Sequence, residues 1–452
     1  MIFSNRTSQI IFKKVKTDVL IIGGGLSGLS ATVKLSQKGV NIILVEASGK
    51  LGGRTYSFIH KETGDVIDNG QHVLVGAYKN TLEYLDVIGT RKFLSVQKKP
   101  HLNLWSEEKG FSAFEIGKGK IFSSLKFKGL TFKSKIGLRN VEKFFQKFPS
   151  NENEITNSTV EEWLNSLHQT DEAKKNFWFP ISISVMNELP ERASALLFVR
   201  SLKSTFFSNK EDVNILIPTI GQTELYVEQA EKLLRKNGVE ILLNNEVISF
   251  EEKNGKISKA QFQNGEEVEA KYFVSCVPYF ALERIIENSH IEKKQFLYLK
   301  KFSSSPIISA YFWFDREVMQ QDFVGVCGRN IQWVFNREKI LEREKKESQC
   351  ISVVISGAYS LIEKSKEAIE KLCLKELEEI FPSMSLSKLL YSFIIKEKRA
   401  TFSATPSIEF IRPNTHTEIE NFFLAGDWTN TKLPATIEGA IQSGFEVAKK
   451  IF

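Results

Sequence analysis

The chain has 452 residues, of which 42% are hydrophobic and 25% are charged, and its 61 basic and 54 acidic side chains give a net charge of +7. This length predicts two or three domains. No apolar run reaches the roughly 18 residues that would span a bilayer, and the first 17 residues lack an apolar segment with a cleavage site. We therefore expect a cytoplasmic protein, and the mild basic excess without a recognition motif argues against nucleic-acid binding.

The four cysteines are widely spaced and form no C-x-x-C pair: Cys276, Cys327, Cys350 and Cys373. Such spacing argues against a disulfide framework and against a zinc site. We therefore predict no metal centre, and the thiols fit a reducing compartment.

The chain opens with a predicted βαβ unit. Residues 18–22 form a short apolar run typical of a buried strand, residues 26–38 have a helical pattern, and residues 40–46 form a second apolar run. A strand, a helix and a strand in this order predict a Rossmann-like, α/β beginning of the fold.

The turn between the first strand and the helix carries a dinucleotide-binding pattern. Gly23, Gly25 and Gly28 fit G-x-G-x-x-G, in which glycines permit a tight turn and the close approach of a diphosphate. The backbone N–H groups at the helix start, including those of Leu26 and Ser27, would then face the phosphates.

Glu46 ends the second predicted strand, 18 residues after Gly28. A carboxylate in this position can accept hydrogen bonds from ribose hydroxyls. It would repel a 2′-phosphate in a partly dry site, which disfavours NADP. FAD and NAD remain as candidate cofactors.

A second glycine motif follows closely and selects FAD. Leu51-Gly52-Gly53-Arg54-Thr55 resembles the second glycine-arginine signature of the amine-oxidase flavoproteins. The resemblance implies that the backbone at Gly53 passes the diphosphate and that Arg54 neutralises its charge.

Residues 64–72 end in Gly70-Gln71-His72 and resemble the loop that runs beside the flavin ring in this superfamily. Together with residues 177–180, 187–195 and 216–225, the loop is similar to the squalene-associated FAD-dependent desaturases, a group understood as hydroxysqualene dehydroxylases. The resemblance implies a reductive step: hydroxysqualene, a long apolar isoprenoid, loses its allylic hydroxyl, accepts a hydride and becomes squalene. Triterpenoid or hopanoid synthesis would follow.

The implied reaction needs a hydride donor, a proton donor for the departing hydroxyl and a dry apolar tunnel. His72 is our candidate for the proton donor, because an imidazole can donate near neutral pH. The alternative is a histidine that hydrogen-bonds FAD or holds the loop. Only one dinucleotide fingerprint is present, so the electron donor is unknown.

Residues 111–148 interleave aromatic side chains with nine Lys or Arg and two Glu. Such a segment could rest on an anionic headgroup layer and guide an apolar substrate inward. We predict peripheral contact with the inner face of the membrane through this segment. The alternative is a surface element whose basic face is solvated. The phenylalanines concerned are Phe111, Phe114, Phe122, Phe127, Phe132, Phe144, Phe145 and Phe148.

Further along the chain, residues 158–161 fit a capping box, Ser158 to Glu161, before a helix, and residues 223–237 predict another helix. Asn254-Gly255 and Asn264-Gly265 are hairpin signals of a β-meander. The resemblance implies that Val247, at the start of a meander strand, contacts the adenine. Further strands are predicted at residues 271–277, 307–314 and 351–355.

The carboxyl-terminal segment supplies an independent flavin motif. Leu424 to Trp428, then Pro434 to Ala440, resemble the motif that closes the flavin site in the family. Asp427 would follow a strand at residues 422–425 and lie beside a diphosphate or ribityl hydroxyl. A helix over residues 437–451 would place N–H groups near Thr436 and Ile437 at the flavin N1 and O2.

These patterns predict an FAD-binding domain of residues 1–90, 215–288 and 399–452, interleaved with an α+β substrate-binding domain of residues 91–214 and 289–398. Three alternatives to the dehydroxylase remain open. A carotenoid desaturase would use the same fold to oxidise a polyene, and a flavin amine oxidase would release hydrogen peroxide from amines. A lipid-binding escort of the same fold would carry no flavin.

Overall fold

A computed structural model describes residues 14–97, 100–115, 127–207, 209–342 and 348–452. These residues form nineteen strands. In chain order they are β1 (Lys14–Ile22), β2 (Ile42–Glu46), β3 (Ser57–Ile59), β4 (Val66–Asp68), β5 (Leu74–Val75), β6 (Leu94–Val96), β7 (His101–Ser106), β8 (Gly110–Glu115), β9 (Ile215–Pro218), β10 (Glu240–Leu243), β11 (Val247–Lys253), β12 (Lys256–Phe262), β13 (Glu267–Ser275), β14 (Ser304–Phe314), β15 (Phe323–Val326), β16 (Trp333–Asn336), β17 (Gln349–Ser356), β18 (Leu389–Phe402) and β19 (Phe422–Leu424).

Twelve α-helices lie in the same residues. They are α1 (Leu26–Ser36), α2 (Lys79–Ile88), α3 (Phe132–Lys147), α4 (Val160–Ser166), α5 (Asp171–Ala173), α6 (Phe179–Met186), α7 (Ala195–Phe206), α8 (Gln229–Lys236), α9 (Tyr279–Asn288), α10 (Arg337–Ile340), α11 (Lys366–Ile380) and α12 (Ile437–Ile451). Two π-helical turns, Lys174–Trp178 and Glu224–Glu228, lead into α6 and α8.

The first large sheet has the strand order β10-β2-β1-β13-β12-β11, and β19 pairs with β13. β10, β2, β1, β13 and β19 are parallel, whereas β11, β12 and β13 form an antiparallel meander. The turn between β11 and β12 has positive φ at Asn254 and Gly255, as a tight hairpin turn requires. The predicted α/β, Rossmann-like fold with a β-meander is confirmed.

The second large sheet has the order β18-β14-β17-β16-β15-β7-β8. All its pairs are antiparallel except β15 with β7. The strands predicted at residues 307–314 and 351–355 lie within β14 and β17. Both segments assigned to the substrate-binding domain contribute strands to this sheet, and β18 continues past the proposed boundary at residue 398 to Phe402. The division into two domains itself stays a prediction.

Most phenylalanines of residues 111–148 face the interior. Among the phenylalanines of this segment that the structure describes, only Phe111 and Phe132, 44% and 70% exposed, belong to the outer surface. Phe148 is partly buried against the core, and Phe122 lies outside the described residues. The prediction that these rings enter a headgroup layer is wrong for four of them, because they pack against other aromatic rings in the core. These four are Phe114, Phe127, Phe144 and Phe145.

The capping box before α4 lies one residue later than predicted. Thr159 is the N-cap, its hydroxyl accepts from the Glu162 N–H, and the Glu162 carboxylate accepts from the Thr159 N–H. The pair Ser158 and Glu161 also fits the sequence pattern. Burial decides between the two registers, since a helix that starts at Val160 places Val160, Trp163 and Leu164 in the core.

In the part of the chain that the structure describes, no helix has the length and apolar character needed to cross a bilayer.

Candidate functional site: a dinucleotide cleft at the sheet edge

The glycine-rich turn lies at the carboxyl end of β1, where a tight bend leads directly into α1. Gly23 has a φ of +104°, which only glycine adopts readily. Gly25 caps α1 in an extended conformation. The N–H groups of Leu26, Ser27 and Gly28 therefore stand in the first turn, where a helix offers them no acceptor. The N-terminus of α1, with its partial positive charge, thus lies at the carboxyl end of β1.

Two of these glycines are needed for different reasons. A Cβ on Gly28 would lie 1.9 Å from the carbonyl oxygen of Gly23, so the packing of α1 on β1 requires glycine there. A Cβ on Gly25 would meet nothing within 4 Å. The space beside Gly25 is therefore open at the helix N-terminus, where a diphosphate can approach the backbone.

Glu46 closes the end of β2 beside this turn. Its two carboxylate oxygens accept the N–H groups of Gly24 and Ser48, each at 2.8 Å. Each oxygen keeps a further lone pair, so the predicted bonds to ribose hydroxyls remain available. The start of β11 is adjacent, because the Asn245 N–H donates to the Glu46 carbonyl at 3.0 Å. Val247 is buried there, and its contact with the adenine stays a prediction.

The second glycine motif is in backbone contact with the first. Gly52 and Gly53 have φ of +103° and +59°. The Gly52 N–H donates to the Gly24 carbonyl at 2.8 Å, and a Cβ on Gly53 would lie 3.2 Å from the Gly25 Cα. The two glycine-rich loops thus border one narrow cleft.

The amino- and carboxyl-terminal motifs meet through an ion pair. The Arg54 guanidinium contacts the Asp427 carboxylate at 2.7 Å and donates to the Ala400 carbonyl at 2.7 Å. The Arg54 carbonyl in turn accepts from the Asn69 side-chain amide at 3.0 Å. The structure therefore brings together three loops that sequence patterns assigned separately to the cofactor.

α12 begins where the carboxyl-terminal motif predicts. Thr436 is its N-cap and accepts an N–H of the first turn, and Ile437 is its first residue. Glu438, in the first turn of α12, is 4% exposed. Its carboxylate accepts hydrogen bonds from the backbone and side-chain donors of Asn80 and Thr81 at 2.7–3.0 Å. It therefore caps α2 and fastens the starts of α2 and α12 together.

The cleft fits FAD in two respects. The side chains of Asp427 and Trp428 are buried, yet among the described residues their backbone N–H groups have no acceptor. Backbone N–H groups of buried residues rarely lack a partner, so these two fit the oxygen atoms of a bound ligand. The open space at Gly25 and these two donors suit the oxygens of a dinucleotide. Bound FAD would supply hydride chemistry at its ring.

His72 is held through one ring nitrogen. Its Nδ1 lies 2.9 Å from the Gly70 carbonyl and 2.5 Å from the side-chain amide of Gln222, which also donates to that carbonyl. Burial lowers the pKa of His72, although Asp68 and the Gly70 carbonyl oppose the shift. These contacts are those of a histidine that holds the loop. Within the described ranges Nε2 has no partner, so this atom remains available to a substrate or cofactor.

A buried arginine that the sequence did not indicate supports the loop from the second sheet. Arg337, 1% exposed, pairs with Asp68 at 3.0 Å and donates to the side chain of Gln71 at 2.5 Å. Asp68 also accepts the Ser57 hydroxyl at 2.7 Å and the Gln222 N–H at 3.0 Å. Arg337 begins α10, 269 residues from its partner, and no local pattern links the two.

Comparison with known proteins agrees with this geometry. The model of the flavin containing amine oxidoreductase family matches residues 26–452. A hydroxysqualene dehydroxylase of Sinorhizobium fredii is 26% identical over 95% of this chain and 97% of its own. A 15-cis-phytoene desaturase of an Oncidium hybrid is 26% identical over 97% of this chain and 78% of its own.

Solved structures share the fold. A putrescine oxidase variant superposes with a TM-score of 0.75 at 16% identity, covering 97% of this chain and 99% of that one. An oxidoreductase of Methanosarcina mazei superposes with a TM-score of 0.74 at 18% identity, covering 97% and 100%. The family match, the fold and the cleft together make the protein an FAD-dependent oxidoreductase. The chain belongs to the flavin-containing amine oxidoreductase family.

Proposed function

We propose that the protein catalyses the FAD-dependent reductive dehydroxylation of hydroxysqualene to squalene, in triterpenoid or hopanoid synthesis. The main support is that this chain aligns with a hydroxysqualene dehydroxylase over nearly the full length of both proteins. The chain and the Sinorhizobium hydroxysqualene dehydroxylase span 95% and 97% of one another, whereas 78% of the Oncidium phytoene desaturase is covered at the same identity. The loop ending in Gly70-Gln71-His72 supports the same assignment.

The reaction replaces a C–O bond by a C–H bond. One hydride goes to the carbon, and one proton leaves with the hydroxyl oxygen as water. The hydride would come from reduced FAD held in the cleft, and an electron donor would then have to reduce the flavin again. The protein has to exclude water around the developing allylic cation and deliver the proton to the hydroxyl.

His72 is the residue we assign to proton delivery, through Nε2. Because burial lowers its pKa below the ordinary value of about 6.5, the imidazolium fraction is small at neutral pH and grows as the pH falls. The rate at which hydroxysqualene reoxidises the reduced enzyme should therefore decrease as the pH rises past the lowered pKa of His72, at a more acidic pH than for an ordinary imidazole.

The variant His72→Asn keeps a donor for the Gly70 carbonyl but has no titrating ring. It should lose this pH dependence and most of the rate, as stopped-flow absorbance measures. If His72→Asn reacts at the wild-type rate across pH 5–8, the histidine only holds the loop.

The substrate is tested with the purified holoprotein. After anaerobic photoreduction, hydroxysqualene should restore the oxidised flavin spectrum while squalene appears in the extract. Reduction of the oxidised enzyme by a polyene such as phytoene would instead support the desaturase, which the equally similar Oncidium relative favours as second candidate. Hydrogen peroxide released from amines would support an amine oxidase.

We further propose that the outer face of α3 contacts the inner face of the membrane, from which the substrate comes. Phe132 and Ile136, 70% and 48% exposed, lie one turn apart. Arg139, Lys143 and Lys147 continue the same face and are exposed. No carboxylate in the described ranges lies within 4 Å of these three cations, so they are available to anionic headgroups.

The double variant Phe132→Ser/Ile136→Ser should bind anionic phosphatidylglycerol vesicles about tenfold more weakly or worse in a sedimentation assay, because two apolar anchors are lost. The matched control is Leu386→Ser, which removes a 74% exposed side chain elsewhere and should bind as wild type does. Equal binding by both variants would show that α3 is an ordinary solvated surface.

A further inference from the structure

Arg412 is a buried arginine outside every motif assigned to the cofactor. It follows the 3₁₀ helix Pro406–Phe410 and is 5% exposed. Its guanidinium donates to acceptors in the loop between β19 and α12 and to one carboxylate of the preceding 3₁₀ helix. They are the carbonyl oxygens of Asp427 (3.0 Å), Trp428 (3.4 Å), Thr429 and Leu433 (2.8 Å), the Thr431 hydroxyl (3.0 Å) and the Glu409 carboxylate (2.8 Å).

These contacts fix the orientation of the peptide groups. In a trans peptide unit the C=O and the following N–H point in opposite directions. Since the Asp427 carbonyl points at Arg412, the Trp428 N–H of the same peptide unit points away from Arg412. This is one of the two N–H groups, both on buried residues, that have no acceptor among the residues described.

Arg412 holds the neighbouring peptide indirectly, through Thr429. The Gly426 carbonyl accepts both the N–H and the hydroxyl of Thr429, at 3.1 and 2.8 Å. Arg412 in turn holds the Thr429 carbonyl. The Asp427 N–H, opposite the Gly426 carbonyl, is therefore also fixed. The two successive backbone donors thus belong to the residue whose carboxylate pairs with Arg54 and to the residue that follows it.

We propose that Arg412 is a positioning residue for the FAD diphosphate. It holds the Asp427 carbonyl directly and the Gly426 carbonyl through Thr429, and it thereby orients the N–H groups of Trp428 and Asp427 toward the cleft. Adjacent N–H donors next to a guanidinium favour an anionic oxygen, and the diphosphate is the anionic part of FAD. Arg412 itself does not touch the cofactor.

An arginine suits this task better than a lysine would. A planar guanidinium has five N–H donors in fixed directions, whereas an ammonium has three on a flexible stem. Arg412 donates to four carbonyl oxygens spread along the loop. A lysine, with fewer donors, should therefore hold only part of the loop.

Arg200 provides a matched control. It shares the Glu409 carboxylate with Arg412, at 3.0 Å, and also pairs with Glu152. It donates to no carbonyl of the loop between residues 426 and 436 in the described structure. Removing Arg200 therefore weakens the same buried ionic cluster without releasing the loop.

The test compares Arg412→Met, Arg412→Lys and Arg200→Met as apoproteins titrated with FAD and as holoproteins in ³¹P NMR. We expect the FAD dissociation constant to rise about tenfold or more in Arg412→Met and less in Arg412→Lys. The ³¹P resonances of bound FAD should shift in both, because the N–H donors move. Arg200→Met should keep the wild-type resonances even if its melting temperature falls.

Two results would overturn the proposal. One is a set of ³¹P resonances that is unchanged in both Arg412 variants. The other is an FAD affinity that Arg200→Met lowers as much as Arg412→Met does, since Arg412 would then act only through stability. If Arg412→Met does not fold, Arg412→Lys decides by the same criteria.

Discussion

Replacing Arg337 with methionine should lower the free energy of unfolding by about 3–5 kcal/mol. Arg337 and Asp68 are 1% and 3% exposed at their side chains, so the variant leaves a carboxylate buried without its cation. The hydrogen bonds from Ser57 and Gln222 to that carboxylate remain, but they do not replace a full charge. The loop that carries Gln71 would lose its support at the same time.

Denaturant unfolding of the apoprotein measures this loss. The double variant Asp68→Asn/Arg337→Met should recover part of it, because no unpaired charge stays buried. Lys398→Met is the matched control: its partner Glu363 is exposed, and an exposed pair contributes little. A loss in Arg337→Met no larger than that of the control would contradict the assignment of this pair as buried and mutually dependent.

Alanine substitutions at Gly28 and Gly25 should separate folding from cofactor binding. A methyl group on Gly28 would lie 1.9 Å from the Gly23 carbonyl oxygen. Since backbone atoms cannot rotate away, α1 must shift from β1. We expect Gly28→Ala to lose about 3 kcal/mol of unfolding free energy and to fail to retain FAD.

Gly25→Ala should behave differently. Gly25 has φ −72°, which alanine adopts without strain, and its added methyl would meet no protein atom within 4 Å. The apoprotein should therefore keep its stability within about 0.5 kcal/mol. The methyl instead occupies the space of the diphosphate, and fluorescence titration should show FAD binding weakened about tenfold or more. FAD binding at the wild-type affinity would show that the cofactor does not approach Gly25.

The parts of the fold that the sequence predicts are those fixed by local chemistry. The glycine spacing at Gly23, Gly25 and Gly28 requires a strand, a turn and a helix in that order, and the structure has them. The position of Glu46 at the end of β2 could be predicted because its distance from Gly28 follows from the length of the βαβ unit. Asn254-Gly255 predicted its hairpin because both residues tolerate positive φ.

What the sequence misses depends on contacts between distant residues. Arg337 and Asp68 are separated by 269 positions, and Arg412 acts on a loop whose shape is unknown before folding. Phe114 and Phe132 are the same residue type in one basic, aromatic segment, yet tertiary packing buries the first and leaves the second exposed. The shift from Ser158 to Thr159 as N-cap has the same cause, since both fit the local pattern and core packing selects one.

Isotopic labelling shows whether a hydride from the reduced flavin replaces the hydroxyl group of the substrate. The enzyme is photoreduced without oxygen in D₂O, so that the exchangeable positions of the reduced flavin carry deuterium, and hydroxysqualene is added. We expect squalene with one deuterium on the carbon that bore the hydroxyl, formed in step with flavin reoxidation. Squalene without that deuterium, or hydroxysqualene recovered intact beside a reduced flavin, would rule out the proposed hydride transfer.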